Sequence, residues 1–162
     1  MQIAVISDTH MPRGSRRLPE ACAKHLRNAD LILHAGDLTR LSVLRELELY
    51  GPVIAVYGNS DDAEVRAALP PVAWVHAGGV MIGVVHDAGP AKGRLARLRR
   101  RFPRVDAVVF GHSHIPLHEE DADGFQIFNP GSPTERRRAP QRTMGIATVA
   151  GGRVRFEHMA VG

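Results

Sequence analysis

Met1-Gln2-Ile3-Ala4-Val5-Ile6-Ser7-Asp8-Thr9-His10 opens the chain, and its reading decides the fold. Gln2 to Ile6 is a short, partly β-branched run closed by polar residues, the pattern of a buried central strand. Side chains alternate along an extended chain, so the spacing predicts Asp8 and His10 on one face just past that strand. A carboxylate oxygen beside an imidazole nitrogen suits a divalent metal of intermediate hardness. Asp-x-His arises often by chance. Its weight here comes from what the later strand ends carry.

Outward from that strand, an Arg- and Gly-containing loop reaches Arg17. Pro19 and Glu20 then suit the first turn of a helix ending near Asn28. Leu31 to Ala35 reads as a second strand, ended by Gly36-Asp37. Thr39 is the expected N-cap of a helix with Leu41, Leu44, Leu47 and Leu49 on its apolar face. Val53 to Tyr57 reads as a third strand, ended by Gly58-Asn59, and Asp61-x-x-Glu64 has the form of a capping box for a helix to Leu69. These residues read βαβαβα, a parallel sheet with helices packed on it. After Pro70-Pro71 three hairpins are expected, over 72–85, 115–128 and 143–158, with a helix carrying Leu95, Leu98 and Phe102. The back half therefore reads as mostly antiparallel. No repeat or linker divides the chain, so one domain over residues 1–162 is expected.

Five apolar runs end in metal-ligand residue types: Asp8 and His10, Asp37, Asn59, His86, then His112 and His114. Successive spacings of 29, 22, 27 and 26 residues from Asp8 to His112 each match one strand plus its connection. Ligands recurring at that interval gather along the carboxyl edge of a sheet, where open α/β folds build their sites. Taken singly, an Asp or Asn after Gly is more often a turn. Seven ligand types in order at strand ends leave little room for that account. Other histidines, His25, His76, His118 and His158, read as surface or satisfied residues, and His34 as a local hydrogen-bonding group.

Composition excludes several alternatives. The single cysteine, Cys22, rules out an internal disulfide framework or a thiolate cluster and reads as a small buried helix residue. No apolar run approaches the roughly 18 residues of a membrane span, and no charged-then-apolar leader opens the chain, so a cytoplasmic protein without membrane contact is expected. The formal charge of +4 raises the question of nucleic acid. Only Lys24 and Lys92 among the 21 basic residues are lysine, a skew attributable to genomic base composition. The Arg-rich segment 94–104 therefore reads first as a solvated helix face, and nucleic acid is not the favoured partner.

Asp8-x-His10, Gly36-Asp37, Gly58-Asn59, His86, Gly111-His112-Ser113-His114 and Asn129-Pro130-Gly131-Ser132, in this order, resemble the calcineurin-like metallophosphoesterases, and most of all their small prokaryotic phosphodiesterase branch. The resemblance spans almost the whole chain. It implies an α/β fold, a four-layer sandwich of two facing mixed β-sheets flanked by helices. It also implies two divalent metal ions, most often manganese, with iron, nickel, zinc or magnesium as alternatives. Carried over by motif, Asp8, His10 and His114 hold one ion, Asn59, His86 and His112 the other, and Asp37 bridges them. Asp37, Asn59 and His86 are then the expected catalytic group, around a metal-bridging hydroxide that attacks phosphorus in line. The expected substrate is a small phosphodiester or a nucleotide-like ester, contacted by Asn59, Ser60 and Arg136.

Two positions depart from the family pattern. Many relatives follow the Asn ligand with a His that protonates the leaving group, and here Ser60 stands in its place. Asp87 follows His86 where relatives usually have Gly. Asn129 to Ser132 reads first as a turn tying a strand to the ligand edge. The competing readings are a nuclease or nucleotide hydrolase using the Arg-rich surfaces, and a protein-interaction scaffold. The retromer subunit of this family is the precedent for the scaffold, and it lacks several of the histidines present here. The oligomeric state is left open.

Overall fold

The computed structural model describes residues 1–162. Ten strands form two five-stranded sheets. The first contains β1 (Gln2–Ile6), β2 (Leu31–His34), β3 (Val53–Ala55), β9 (Thr143–Ala150) and β10 (Arg153–Ala160). The second contains β4 (Val72–Ala77), β5 (Val80–Val85), β6 (Ala107–Val109), β7 (Leu117–Glu120) and β8 (Gln126–Asn129). Their orders are β10-β9-β1-β2-β3 and β4-β5-β6-β8-β7. Four helices accompany them: α1 (Glu20–Asn28), α2 (Leu41–Glu48), α3 (Ala63–Ala68) and α4 (Arg94–Arg101).

Alternation in β1 sets the layers. Ile3 and Val5 point between the sheets, where they join Leu33, Ile82, Val84, Val109 and Phe128 in one core. Ala4 and Ile6 point the other way, onto a core with Cys22 and Leu26 of α1, Leu44 and Leu47 of α2 and Val65 of α3. Beyond the second sheet, Leu98 of α4 and Phe102 pack on Val108, Phe110 and Ile127. The result is the expected four-layer α/β sandwich. Each buried Leu or Phe in these layers contributes about 1.5–3 kcal/mol over an exposed one. Cys22 is fully buried, and burial pushes its thiol up to about 12, so it is a core residue rather than a nucleophile.

The β1-β2-β3 ladder is parallel, as the opening pattern requires. The back half differs from expectation. β5 pairs β6, and β6 pairs β8, both in parallel, so the second sheet is half parallel. The three hairpins do form, but a hairpin's own residues do not specify which strand lies against its far side. Helix starts differ too. Thr39 has φ +86°, donates its hydroxyl to Met11 O, and leaves the cap of α2 to Arg40. Asp62, not Asp61, caps α3 by accepting from Val65 N at 3.0 Å. Leu49 lies beyond α2 and is exposed.

The basic helix face is largely used within the fold. Arg97 donates to the carbonyls of Ala88, Pro90 and Lys92. Arg94, Arg99 and Arg101 lie over the rings of Phe110, Phe125 and Phe102. Asp87 accepts from Gly89 N at 2.8 Å and closes the turn before α4. No helix is long and apolar enough to cross a membrane.

Candidate metal centre

All seven ligand-type residues come to one edge of the facing sheets, on the loops after β1, β2, β3, β5 and β6. Strand alternation does not bring them together. β1 stops at Ile6, and Asp8 and His10 both adopt left-handed backbone, with φ +56° and +44°. Asp37, His112 and His114 do the same, so five of the seven ligand types have positive φ. Such geometry costs about 1–3 kcal/mol per non-glycine residue and persists only where surrounding contacts impose it. Asp8 and His10 thus bend the chain inward, where an extended strand would have carried it past the edge.

Contacts from β8 and the segment after it impose this geometry. Ser132 Oγ donates to Asp8 O at 2.8 Å, and Thr134 Oγ1 donates to Thr9 O at 2.8 Å. Asn129 Nδ2 donates to Gly111 O at 2.9 Å and to Ser113 Oγ at 3.1 Å. The Asn129-to-Ser132 turn therefore ties the ligand loops to β8, the structural role expected of it. Gly58 and Gly111 are needed for close approach. A Cβ on Gly58 would lie 2.2 Å from Asp37 Oδ1, and one on Gly111 would lie 1.9 Å from Ser7 Oγ.

Asp61 has a role that the capping-box reading missed. Its carboxylate accepts from Asp37 N at 3.0 Å, Thr39 N at 2.5 Å and Gly58 N at 2.7 Å. Arg66 clamps the same turn from outside by donating to the carbonyls of Asp61, Gly58 and Asn59. Two ligand loops, 36–39 and 58–61, are thereby held by one buried side chain. Burial raises the Asp61 carboxyl despite these donors, and the neighbouring Asp37 charge adds to the rise. A carboxylate two residues after a ligand was the signal available in the sequence.

At the centre, Asp8 Oδ1 is buried and has no hydrogen-bond partner. It lies 3.4 Å from His114 Nε2, 3.8 Å from His10 Nε2 and 4.0 Å from His86 Nε2. Asp37 Oδ2 lies 3.4 Å from His10 Nε2 and 3.3 Å from His86 Nε2, while its Oδ1 accepts from Ser60 N at 2.8 Å. The outer ring nitrogens are already committed. His86 Nδ1 donates to Ala35 O at 2.7 Å, and His114 Nδ1 donates to Glu135 O at 3.0 Å. Their inner nitrogens face carboxylate oxygens, acceptor against acceptor. A proton, a cation or the two hydrogens of a bridging water would satisfy such a pair, and the mixed nitrogen and oxygen set suits a cation. Asn59 Oδ1 stands 3.0 Å from both His86 Nε2 and His112 Nδ1 and adds an oxygen donor on that side.

Two triads of ligand atoms converge here, Asp8-His10-His114 and Asp8-Asp37-His86. The mixed oxygen and imidazole donors, and the orphaned Asp8 oxygen, fit divalent first-row metal ions. Burial pushes Asp37 up, but the His86 hydrogen bond and charge, the Ser60 N–H and His10 outweigh it and hold the carboxyl well below the usual range. Burial likewise pushes His86 down, and Asp37, Asp8 and the Ala35 carbonyl reverse it to a net rise. A metal ion bound here would require His86 Nε2 to be free of its proton.

His34 lies under this cluster, fully buried. It accepts from Gly36 N at Nδ1, 3.1 Å away, and its Nε2–H points at Thr9 Oγ1 at 3.0 Å. It is the locally satisfied residue expected from its place in β2. Burial pushes it down to about 3 from an ordinary 6.5. Between those values the unfolded chain takes up a proton that the folded chain refuses. The stability of metal-free protein should therefore fall as pH drops below about 6.5, by up to about 1.4 kcal/mol per pH unit from this group. Urea titrations at stepped pH check it, and His34→Gln should flatten the slope.

Of the expected substrate contacts, Asn59 and Ser60 are exposed at the centre, whereas Arg136 turns its guanidinium to Ala139 O, 3.1 Å away in its own loop. A cleft of about 330 Å³ opens beside Asn59 and His86, flanked by Tyr57, Arg66, Asp87 and Arg101.

Comparison with known proteins agrees with this geometry. The chain is 37% identical over 139 residues to a probable metallophosphoesterase of Methanothermobacter thermautotrophicus, covering 85% of this chain and 80% of the relative. It is 26% identical over 145 residues to a phosphodiesterase of Methanocaldococcus jannaschii, covering 81% and 83%. Among solved structures, zinc-complexed Vps29 from Entamoeba histolytica superposes over all of both chains with a TM-score of 0.78 at 23% identity, a likeness of fold. The model of the calcineurin-like phosphoesterase superfamily domain matches residues 1–152, and with the ligand cluster at its strand ends the chain belongs to that superfamily.

Proposed function

We propose that the protein is a metal-dependent phosphodiesterase that works with two divalent ions. The observation that carries this reading is the inward-facing set of imidazole nitrogens and carboxylate oxygens around the unpartnered Asp8 Oδ1. Asp8, His10 and His114 would hold one ion, Asn59, His86 and His112 the other, and Asp37 would serve both. Bound ions supply Lewis acidity and bring the pKa of water to near 7, giving a nucleophile at neutral pH.

The chain's own groups then do the positioning. Asp37 is held by the Ser60 N–H on one oxygen and presents the other to His10 and His86. Ala35 and Glu135 carbonyls orient His86 and His114. The cleft beside Asn59 gives room to one ester arm. Two ions offset by two carboxylates and one hydroxide leave about one positive charge, which matches a diester monoanion. No general acid stands at the leaving-group side: Ser60 is a poor acid, and both oxygens of Asp61 face backbone amides. Esters with stable leaving groups should therefore react fastest, because a tuned acid contributes about 10²–10⁴-fold.

The manganese-reconstituted protein should hydrolyse bis(p-nitrophenyl) phosphate faster than p-nitrophenyl phosphate, and chelation should stop both. A preference for the monoester would overturn the diesterase reading. No turnover of any ester, with metal bound, would return the chain to the scaffold reading that its Vps29 neighbours recommend.

A further inference from the structure

Arg137 is placed differently from the other arginines around the centre. It lies two residues after Glu135, whose carbonyl orients His114 and whose N–H donates to Ser132 Oγ at 3.0 Å. Ser132 and Thr134 are themselves fixed on the Asp8 and Thr9 carbonyls. On its other side, Ala139 N donates to Arg136 O at 2.8 Å and closes a turn. Between these anchors Arg137 adopts left-handed backbone, φ +47°, the one arginine in the chain that does. That bend turns its guanidinium towards the ligand edge, where Nη1 reaches His112 O at 3.5 Å. No carboxylate lies within 4.0 Å of it, in contrast to Arg16, which pairs with Glu135 at 3.5 Å.

A cation held beside His112 and His114 by one long bond to a carbonyl has most of its five donors unused. Such a fork matches the oxygens of a phosphate, which it binds in parallel N–H···O pairs. Of the arginines near it, one adjacent in sequence and one at the 58–61 turn are engaged by backbone carbonyls. Arg136 is turned onto Ala139 O, and Arg66 is spent on three carbonyls of the 58–61 turn.

We propose that Arg137 is a substrate-binding residue that grips a non-bridging oxygen of the phosphate presented to the ligand cluster. The proposal rests on the phosphoesterase reading above and adds a consequence for charge. With Arg137 the site carries about two positive charges, so a phosphate dianion gains more from it than a diester monoanion. Inorganic phosphate and the monoester product are then held well. Such affinity for a ground state slows release and does not speed chemistry.

The test uses manganese-loaded protein and inorganic phosphate as the probe, titrated calorimetrically, with metal content measured on the same samples. Arg137→Ala should weaken phosphate binding about ten-fold or more at unchanged metal content and unchanged thermal midpoint. Arg137→Lys should recover part of the loss, and Arg138→Ala on the exposed loop should leave binding as it was. With a diester substrate, Arg137→Ala should raise KM more than it lowers kcat. Equal phosphate affinity in wild type and Arg137→Ala overturns the proposal. So does an equal loss in Arg138→Ala, or failure of wild type to bind phosphate at millimolar concentration. If phosphate binding depends on Arg137 while no ester is hydrolysed, the hydrolase reading fails and the phosphate grip stands. If esters are hydrolysed and Arg137→Ala changes nothing, the reverse holds.

Discussion

Asp37→Ala should abolish hydrolysis, lowering kcat/KM by on the order of 10³-fold or more, because one side chain serves both halves of the cluster. Its Oδ2 lies within 3.4 Å of His10 Nε2 and His86 Nε2, and these belong to opposite sides of the proposed pair. Removing it takes away one of the two carboxylates at the centre and leaves Asp8, 3.8 Å from His10 Nε2 and 4.0 Å from His86 Nε2, as the only one. Asn59→Ala should cost less, about 10- to 100-fold. Asn59 is a neutral donor at the exposed rim, and His86 and His112 remain beside it. Steady-state kinetics of the two variants at saturating manganese separate these outcomes. Equal losses would mean that Asp37 does not bridge.

Asp61→Ala should be the most destabilising change near the site. Three backbone N–H groups, of Asp37, Thr39 and Gly58, lose a common buried acceptor. At about 1–3 kcal/mol for each unsatisfied buried donor, the expected cost is at least about 3 kcal/mol in metal-free protein. The loops it joins carry Asp37 and Asn59, so metal affinity should fall about 10- to 100-fold as well. Urea denaturation measures the first effect, and competition with a chromophoric chelator measures the second. Asp62→Ala, which removes only the α3 cap, should cost about 1 kcal/mol and leave metal affinity unchanged. Similar effects from the two aspartates would return Asp61 to the role of a simple cap.

The contrast between those neighbours shows where the sequence was legible and where it was not. The ligand set could be read because each member follows an apolar run, and strand burial is encoded locally by alternation, as in Ile3 and Val5 against Ala4 and Ile6. Whether Asp61 or Asp62 caps α3 depends on which carboxylate the 36–39 loop claims, a contact across 24 residues of chain. Positive φ at Asp8, His10, Asp37, His112 and His114 was equally hidden. Asp and His enter that conformation more readily than most residues but still uncommonly, and here it is held by Ser132, Thr134, Asn129 and Asp61 from elsewhere. The parallel seat of β8 beside β6 is likewise a long-range pairing that no hairpin pattern records. Arg136 and Arg137 differ only in which of two adjacent residues the turn at Ala139 captures.

A paired metal centre built from seven side chains requires two ions per chain, and metal analysis counts them. The purified chain, stripped with chelator, dialysed against manganese and analysed for metal per chain, should hold two ions. Hydrolysis of bis(p-nitrophenyl) phosphate should rise with occupancy of the second. One ion per chain at saturation, with full activity and all seven ligand residues intact, would contradict it.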